Sequence, residues 1–71
     1  MTLKELRLQS KKTAAEVAAV LGVTPNAVSN YERGKREINI HQTLTLARLY
    51  DVTEREVIEA QIESIAVRST K

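Results

Sequence analysis

The chain has 71 residues, no cysteine, 3% aromatic residues and a formal net charge of +2, which is material for one small core and offers no disulfide framework to replace it. Two glycines and one proline leave few enforced breaks, and the abundance of Ala, Leu, Glu, Lys and Arg favours helix, so the expected class is all-α. The scarcity of aromatics argues against a stacking platform for single strands; without a long apolar run or a signal-peptide series, a soluble cytoplasmic protein with no membrane partner is the default.

Five helices are expected. Thr2 caps the first, over residues 3–10, with Glu5 three positions on at capping-box spacing and Leu3 and Leu6 turned inward. Thr13 and Glu16 repeat that spacing ahead of a second helix over residues 14–21, where Val17, Ala18 and Leu21 recur at core spacing. Gly22 ends it, at a turn that needs the left-handed conformation glycine adopts without strain. Thr24 caps a third helix, with Pro25 at the first position, where the missing N–H costs nothing. Val28 and Tyr31 lie on one face of this helix, and Asn26, Ser29, Asn30 and Arg33 on the other. Two short helices joined at a glycine in this manner read as a helix-turn-helix, its reading helix spanning residues 25–33.

On that outer face Asn26 and Asn30 can each donate and accept toward an adenine edge, which makes them the leading candidates for direct reading. Gly34 closes the helix, and Lys35 and Arg36 follow where they can grip phosphate beside the groove it enters. Asn39 caps a fourth helix over residues 40–50, with Ile40, Leu44, Ala47 and Tyr50 or Asp51 expected on its inner side and Leu46 sharing that packing. His41 and Gln42 stand in its first turn near backbone amides that remain free, so His41 is a candidate phosphate contact. Thr53, with Glu56 three positions on, caps a fifth helix.

In that last helix Val57, Ile58, Ile62, Ile65 and Ala66 keep helical spacing past the length needed to cover a four-helix core. The surplus stripe wants a partner: a second copy, a different regulator, or its own domain if the tail bends back. The expected division is 1–58 for the compact domain and 59–71 for a helical extension, with fraying over residues 67–71. Charge is uneven too: residues 1–36 hold seven cations against three glutamates, about +4, while residues 37–71 come to about −2. A basic half beside an acidic half fits a polyanion-facing surface on one side and a different task on the other.

The series Glu16-Val17-Ala18, Leu21-Gly22-Val23-Thr24, Val28-Ser29-Asn30-Tyr31-Glu32-Arg33-Gly34-Lys35-Arg36, Leu46-Ala47 and Tyr50-Asp51-Val52-Thr53 resembles, in this order and at these separations, the phage Cro and CI repressor type of helix-turn-helix domain known from many bacterial regulators. The resemblance covers residue 3 to about 58 and implies a compact five-helix, lambda-repressor-like fold. It implies base-edge contacts from Pro25, Asn26, Ser29 and Asn30 and backbone contacts from Thr24, Lys35 and Arg36; Thr13, Arg33 and His41 join the phosphate candidates. It also implies an ion pair between Arg7 and Glu32, in which losing one partner would cost more than replacing both.

Two positions depart from the family pattern. Ala14 stands where a glutamine usually meets phosphate, leaving Thr13's hydroxyl or a backbone amide as a partial substitute. Pro25 stands where many relatives carry a hydrogen-bonding side chain, and offers only apolar contact to a thymine methyl.

The function implied is a Cro-like phage or prophage repressor that binds double-stranded operator DNA as a homodimer, with Ile58, Ile62 and Ile65 as the candidate partner surface and no room for an effector pocket. Two other readings stay open. One is an antirepressor that engages a heterologous repressor, favoured by Ala14, the acidic half and the surplus stripe; the other is the antitoxin of a toxin–antitoxin pair. One histidine, one aspartate and no cysteine leave little for a catalytic dyad, and there is no C-x-x-C pair or glycine-rich phosphate loop. No enzyme activity, metal or organic cofactor is expected.

Overall fold

The structure, a computed structural model, describes the backbone of residues 1–69 and the side chains of residues 1–66. In chain order it holds α1 (Leu3–Gln9), α2 (Ala14–Leu21), α3 (Pro25–Glu32), α4 (Ile40–Leu49) and α5 (Glu54–Ser69), with no strand among the described residues. Of the fraying expected over residues 67–71, the backbone of residues 67–69 is instead helical as the end of α5, and residues 70–71 lie outside the described ones.

The helix starts are set locally. Thr2, Thr13 and Thr53 accept from the amide three residues on, and Glu5, Glu16 and Glu56 accept in return from the cap amide, all at 2.8–3.3 Å. Asn39 and Gln42 form the same box ahead of α4, and Thr24 accepts from the Ala27 amide at 3.1 Å ahead of Pro25. Accepting from the Thr2 and Thr13 amides favours the charged form of Glu5 and Glu16, which holds both carboxyls below their ordinary range. Three helix ends fall one residue before the expected bounds, because Ser10, Arg33 and Tyr50 serve as C-caps of α1, α3 and α4.

The core gathers Leu3 and Leu6 from α1, Val17 and Ala18 from α2, and Ala27, Val28 and Tyr31 from α3 around Ile38, Leu46, Ala47, Tyr50, Val57 and Ala60. α2 packs on α3, α4 on α5, and α5 also meets α1 and α3. This layout corrects the expected face of α4. On α4 the buried stripe is Thr43, Leu46, Ala47 and Tyr50, while Ile40 is 81% exposed and Leu44 is exposed as well. Thr43 is tolerated inside because its Oγ1 donates to the Asn39 carbonyl at 3.0 Å, so a polar residue can take the core-facing side.

On α5 the buried face is Val57, Ala60 and Ser64, which leaves Ile58 and Ile62 of the surplus stripe outside the core. Ala60 and Ser64 are small enough to let α5 approach α1, where Ser64 Oγ accepts from the Leu3 amide at 3.1 Å. Ile58 and Ile62 point outward, Ala66 is exposed and Ile65 is half-buried. α5 runs unbroken across residue 58, and beyond it Ala60 and Ser64 are buried.

Candidate functional site

Burial of Ala27, Val28 and Tyr31 fixes the rotation of α3 about its axis. With that rotation set, Pro25, Asn26 and Arg33 are exposed, and Ser29 and Asn30 are half-buried on the flanks of the outward face. The short polar side chains at positions 26, 29 and 30 recur three and four apart, as neighbours on a single helix surface. Thr24 caps this helix from an exposed position, and Thr13 does the same for α2. Each threonine oxygen accepts from the amide it caps and keeps its O–H for a further acceptor.

Beyond α3, Lys35 and Arg36 are exposed on the segment leading to α4. The Arg36 guanidinium lies 5.4 Å from the centroid of the Tyr31 ring, a cation–π distance that holds the cation close to the end of α3. The Tyr31 hydroxyl in turn accepts from Gln42 Nε2 at 3.1 Å, which ties the first turn of α4 to α3. Gln42 is thus committed to Asn39 and Tyr31, whereas His41 beside it is exposed. Sequence spacing gives no sign of this link, because an (i, i+11) pair on two helices leaves no periodic trace.

The small Ala14 borders a hollow of about 180 Å³, whose other walls are Lys4, Arg7, Ser29, Glu32 and Arg33. It brings Lys4 of α1 next to the outward side of α3, a cation that sequence reasoning left out of the site. The available signal was its (i, i+3) relation to Arg7, which places both on neighbouring positions of one helix. Arg7 Nε donates to Glu32 Oε2 at 2.7 Å and Nη2 to Oε1 at 3.3 Å, with the two side chains 12% and 10% exposed. Arg7 Nη1 also donates to the Lys12 carbonyl at 3.1 Å, so one guanidinium joins the α1–α2 turn to the end of α3. The bond to Glu32 raises the Arg7 pKa. Burial, and then the Glu32 charge, push the Tyr50 phenol up to about 12.

The arrangement therefore presents hydrogen-bonding side chains along one exposed helix and cations at that helix's far end and flank. Such a surface can position phosphate oxygens and offer donors and acceptors to base edges. Among the described residues, no group of three or more His, Asp or Glu side chains is placed to hold a metal ion, and no helix is long and apolar enough to cross a membrane. Of the expected partner surface, Ile58 and Ile62 are exposed, and Ile65 lies against Gly34.

A family model described as helix-turn-helix matches residues 3–57. The chain is also similar to a Pyrococcus furiosus protein that bears the name "Putative HTH-type transcriptional regulatory protein", at 30% identity over 70 residues. That alignment takes in 94% of the chain and 22% of the Pyrococcus protein, so the chain spans about a fifth of that relative's length. No solved structure matches the chain.

Proposed function

The chain belongs to the helix-turn-helix family, and from that membership we propose that it is a DNA-binding transcriptional regulator, a Cro-like repressor that occupies operator DNA as a dimer. The observation that carries this reading is the outward face of α3: Asn26 is exposed and Asn30 half-buried, one turn apart, with Lys35 and Arg36 exposed just beyond them. In this role Asn26 and Asn30 donate to and accept from adenine edges, Ser29 adds a hydroxyl, and Pro25 packs on a thymine methyl. Thr13, Thr24, Arg33, Lys35, Arg36 and His41 contact phosphates, which fix register and orientation without reading sequence. Bound protein then hinders polymerase.

One eight-residue helix reaches only a few base pairs, and two related copies double the contact while imposing a half-site spacing. Ile58 and Ile62, 47% and 60% exposed, are the apolar surface on which a second copy would seat.

The test is titration of the purified protein against its own upstream DNA and against scrambled DNA of equal length, at about 0.15 M salt, where non-specific attraction is screened. Preference for the upstream DNA that disappears in Asn26→Ala/Asn30→Ala is the expected result. Equal binding to both, from a protein shown to be folded, overturns the sequence-reading role. The exposed Ile58 and Ile62 would then favour engagement of another regulator, the antirepressor reading.

A further inference from the structure

Residues 34–38 connect α3 to α4 and carry Lys35 and Arg36, and both ends of this segment rest on α5. At its start Gly34 lies flush with the α5 backbone: a Cβ built there would stand 2.9 Å from Ile65 Cα and 2.9 Å from the Ser64 carbonyl oxygen. At its end the buried Ile38 donates its backbone N–H to Gln61 Oε1 at 2.6 Å. The supporting turn is itself anchored, since Ser64 Oγ accepts from the Leu3 amide and donates to the Ala60 carbonyl at 2.9 Å. Between the two pinned ends, Lys35, Arg36 and Glu37 are exposed. Residues 61–65, which make these contacts, lie beyond the part of the chain that the family model matches, residues 3–57.

We propose that the 61–65 turn of α5 is a brace that holds Lys35 and Arg36 in place for a DNA backbone, with Gln61 as its positioning residue. The inference rests on the reading of those two cations as phosphate contacts. A connecting segment free at its ends loses backbone freedom when its cations settle on phosphate, and that loss subtracts from affinity. Pinned at Gly34 and Ile38, the segment has already lost that freedom before DNA arrives. An amide suits the position, because Oε1 accepts the Ile38 hydrogen bond without adding a second negative charge, besides that of Glu37, next to two cations that face a polyanion. The brace also gives α5 a part in the interface although none of its residues is placed against DNA.

The test compares the full chain with Gln61→Met, with Lys35→Ala/Arg36→Ala and with all three changes combined, each shown by circular dichroism to be folded at the temperature used. Each is titrated with a mixed-sequence DNA duplex over a range of salt, and exchange of the Ile38 amide is followed by NMR without DNA. Losing Lys35 and Arg36 should weaken binding several-fold and reduce the salt slope by about two, the signature of two lost phosphate contacts. Gln61→Met keeps side-chain length and helix preference while removing the acceptor. It should speed Ile38 exchange and weaken binding about three-fold in the native background, the scale of one net hydrogen bond. With Lys35 and Arg36 already replaced, it should weaken binding no further. Gln61→Glu, which restores an acceptor, should restore protection of the Ile38 amide.

An equal loss from Gln61→Met in both backgrounds overturns the brace and leaves the phosphate reading intact. So does no loss in the native background when Lys35→Ala/Arg36→Ala weakens binding. If Lys35→Ala/Arg36→Ala leaves affinity and salt slope unchanged, the phosphate reading falls and the brace falls with it.

Discussion

The turn between α2 and α3 and the segment between α3 and α4 pass through glycines of nearly identical conformation, Gly22 at φ +71° and Gly34 at φ +74°, in opposite surroundings. A Cβ at Gly22 would meet nothing within 4 Å, whereas one at Gly34 would run into the α5 backbone. The first turn is made by its own residues, with the Gly22 and Val23 amides both donating to the Ala18 carbonyl. The second closes locally as well, with the Gly34 amide donating to the Tyr31 carbonyl at 3.1 Å and the Lys35 amide to the Asn30 carbonyl at 2.9 Å, but it is also held from outside, by α5 on one side and by the Arg7–Glu32 pair at the end of α3. The same local signal in a sequence therefore marks a self-contained turn in one place and a tertiary junction in the other.

The sharpest way to break this contrast is to put alanine at each glycine in turn. Gly34→Ala should cost about 3 kcal/mol, combining a strained left-handed residue with a clash against backbone that cannot swing aside. Gly22→Ala should cost only the conformational part, about 1 kcal/mol. Urea unfolding of the two variants measures both, and equal losses would mean that α5 does not confine Gly34. Next in size is the pair that holds the end of α3. Arg7→Met should destabilise by about 2 kcal/mol by leaving the Glu32 carboxylate nearly buried without its partner, while Arg7→Met/Glu32→Leu should lose less than the single change. A double-mutant cycle checks this, and additive losses would reduce the pair to two independent charges.

The last expected effect, seen only at alkaline pH, is a pH signature confined to the tertiary side of the comparison. Tyr50 has its folded pKa raised to about 12 from an ordinary 10.0, so its contribution is fully present below pH 10 and is lost as pH rises toward 12. Tyr50→Phe should therefore flatten the fall in stability over that window, read from urea midpoints at successive pH values. An unchanged fall would place the alkaline sensitivity elsewhere.

Elements that depend on near neighbours are legible in the amino-acid order alone. The capping boxes at Thr2, Thr13 and Thr53, the glycine stops, and the polar face of α3 from Asn26 to Arg33 follow from residues three or four apart, a range over which helix geometry decides contact. For the same reason the start of every helix agrees with the spacing, while three ends move by one residue, where a capping conformation outweighs composition. The paired Arg7 and Glu32 are reached only through family resemblance, because a separation of 25 residues has no local signature.

The faces of α4 and α5 lie beyond such reasoning. Ile40, Leu44, Ile58 and Ile62 form as good an apolar pattern as the residues that are buried, and hydrophobicity alone prefers them to Thr43, Ala60 and Ser64. Closeness of approach decides instead: small residues let α5 lie against α1 and Gly34, and a threonine that returns its hydroxyl to its own helix can face inward without loss. Amino-acid order thus dictated that there would be five helices, where each begins, and which face of α3 stays polar, because these are matters of short-range geometry. Assembly of the helices alone settled which apolar stripe was covered, which cations gathered beside Ala14, and which turn of α5 meets both ends of the segment that carries Lys35 and Arg36, because these depend on distances between residues far apart in the chain.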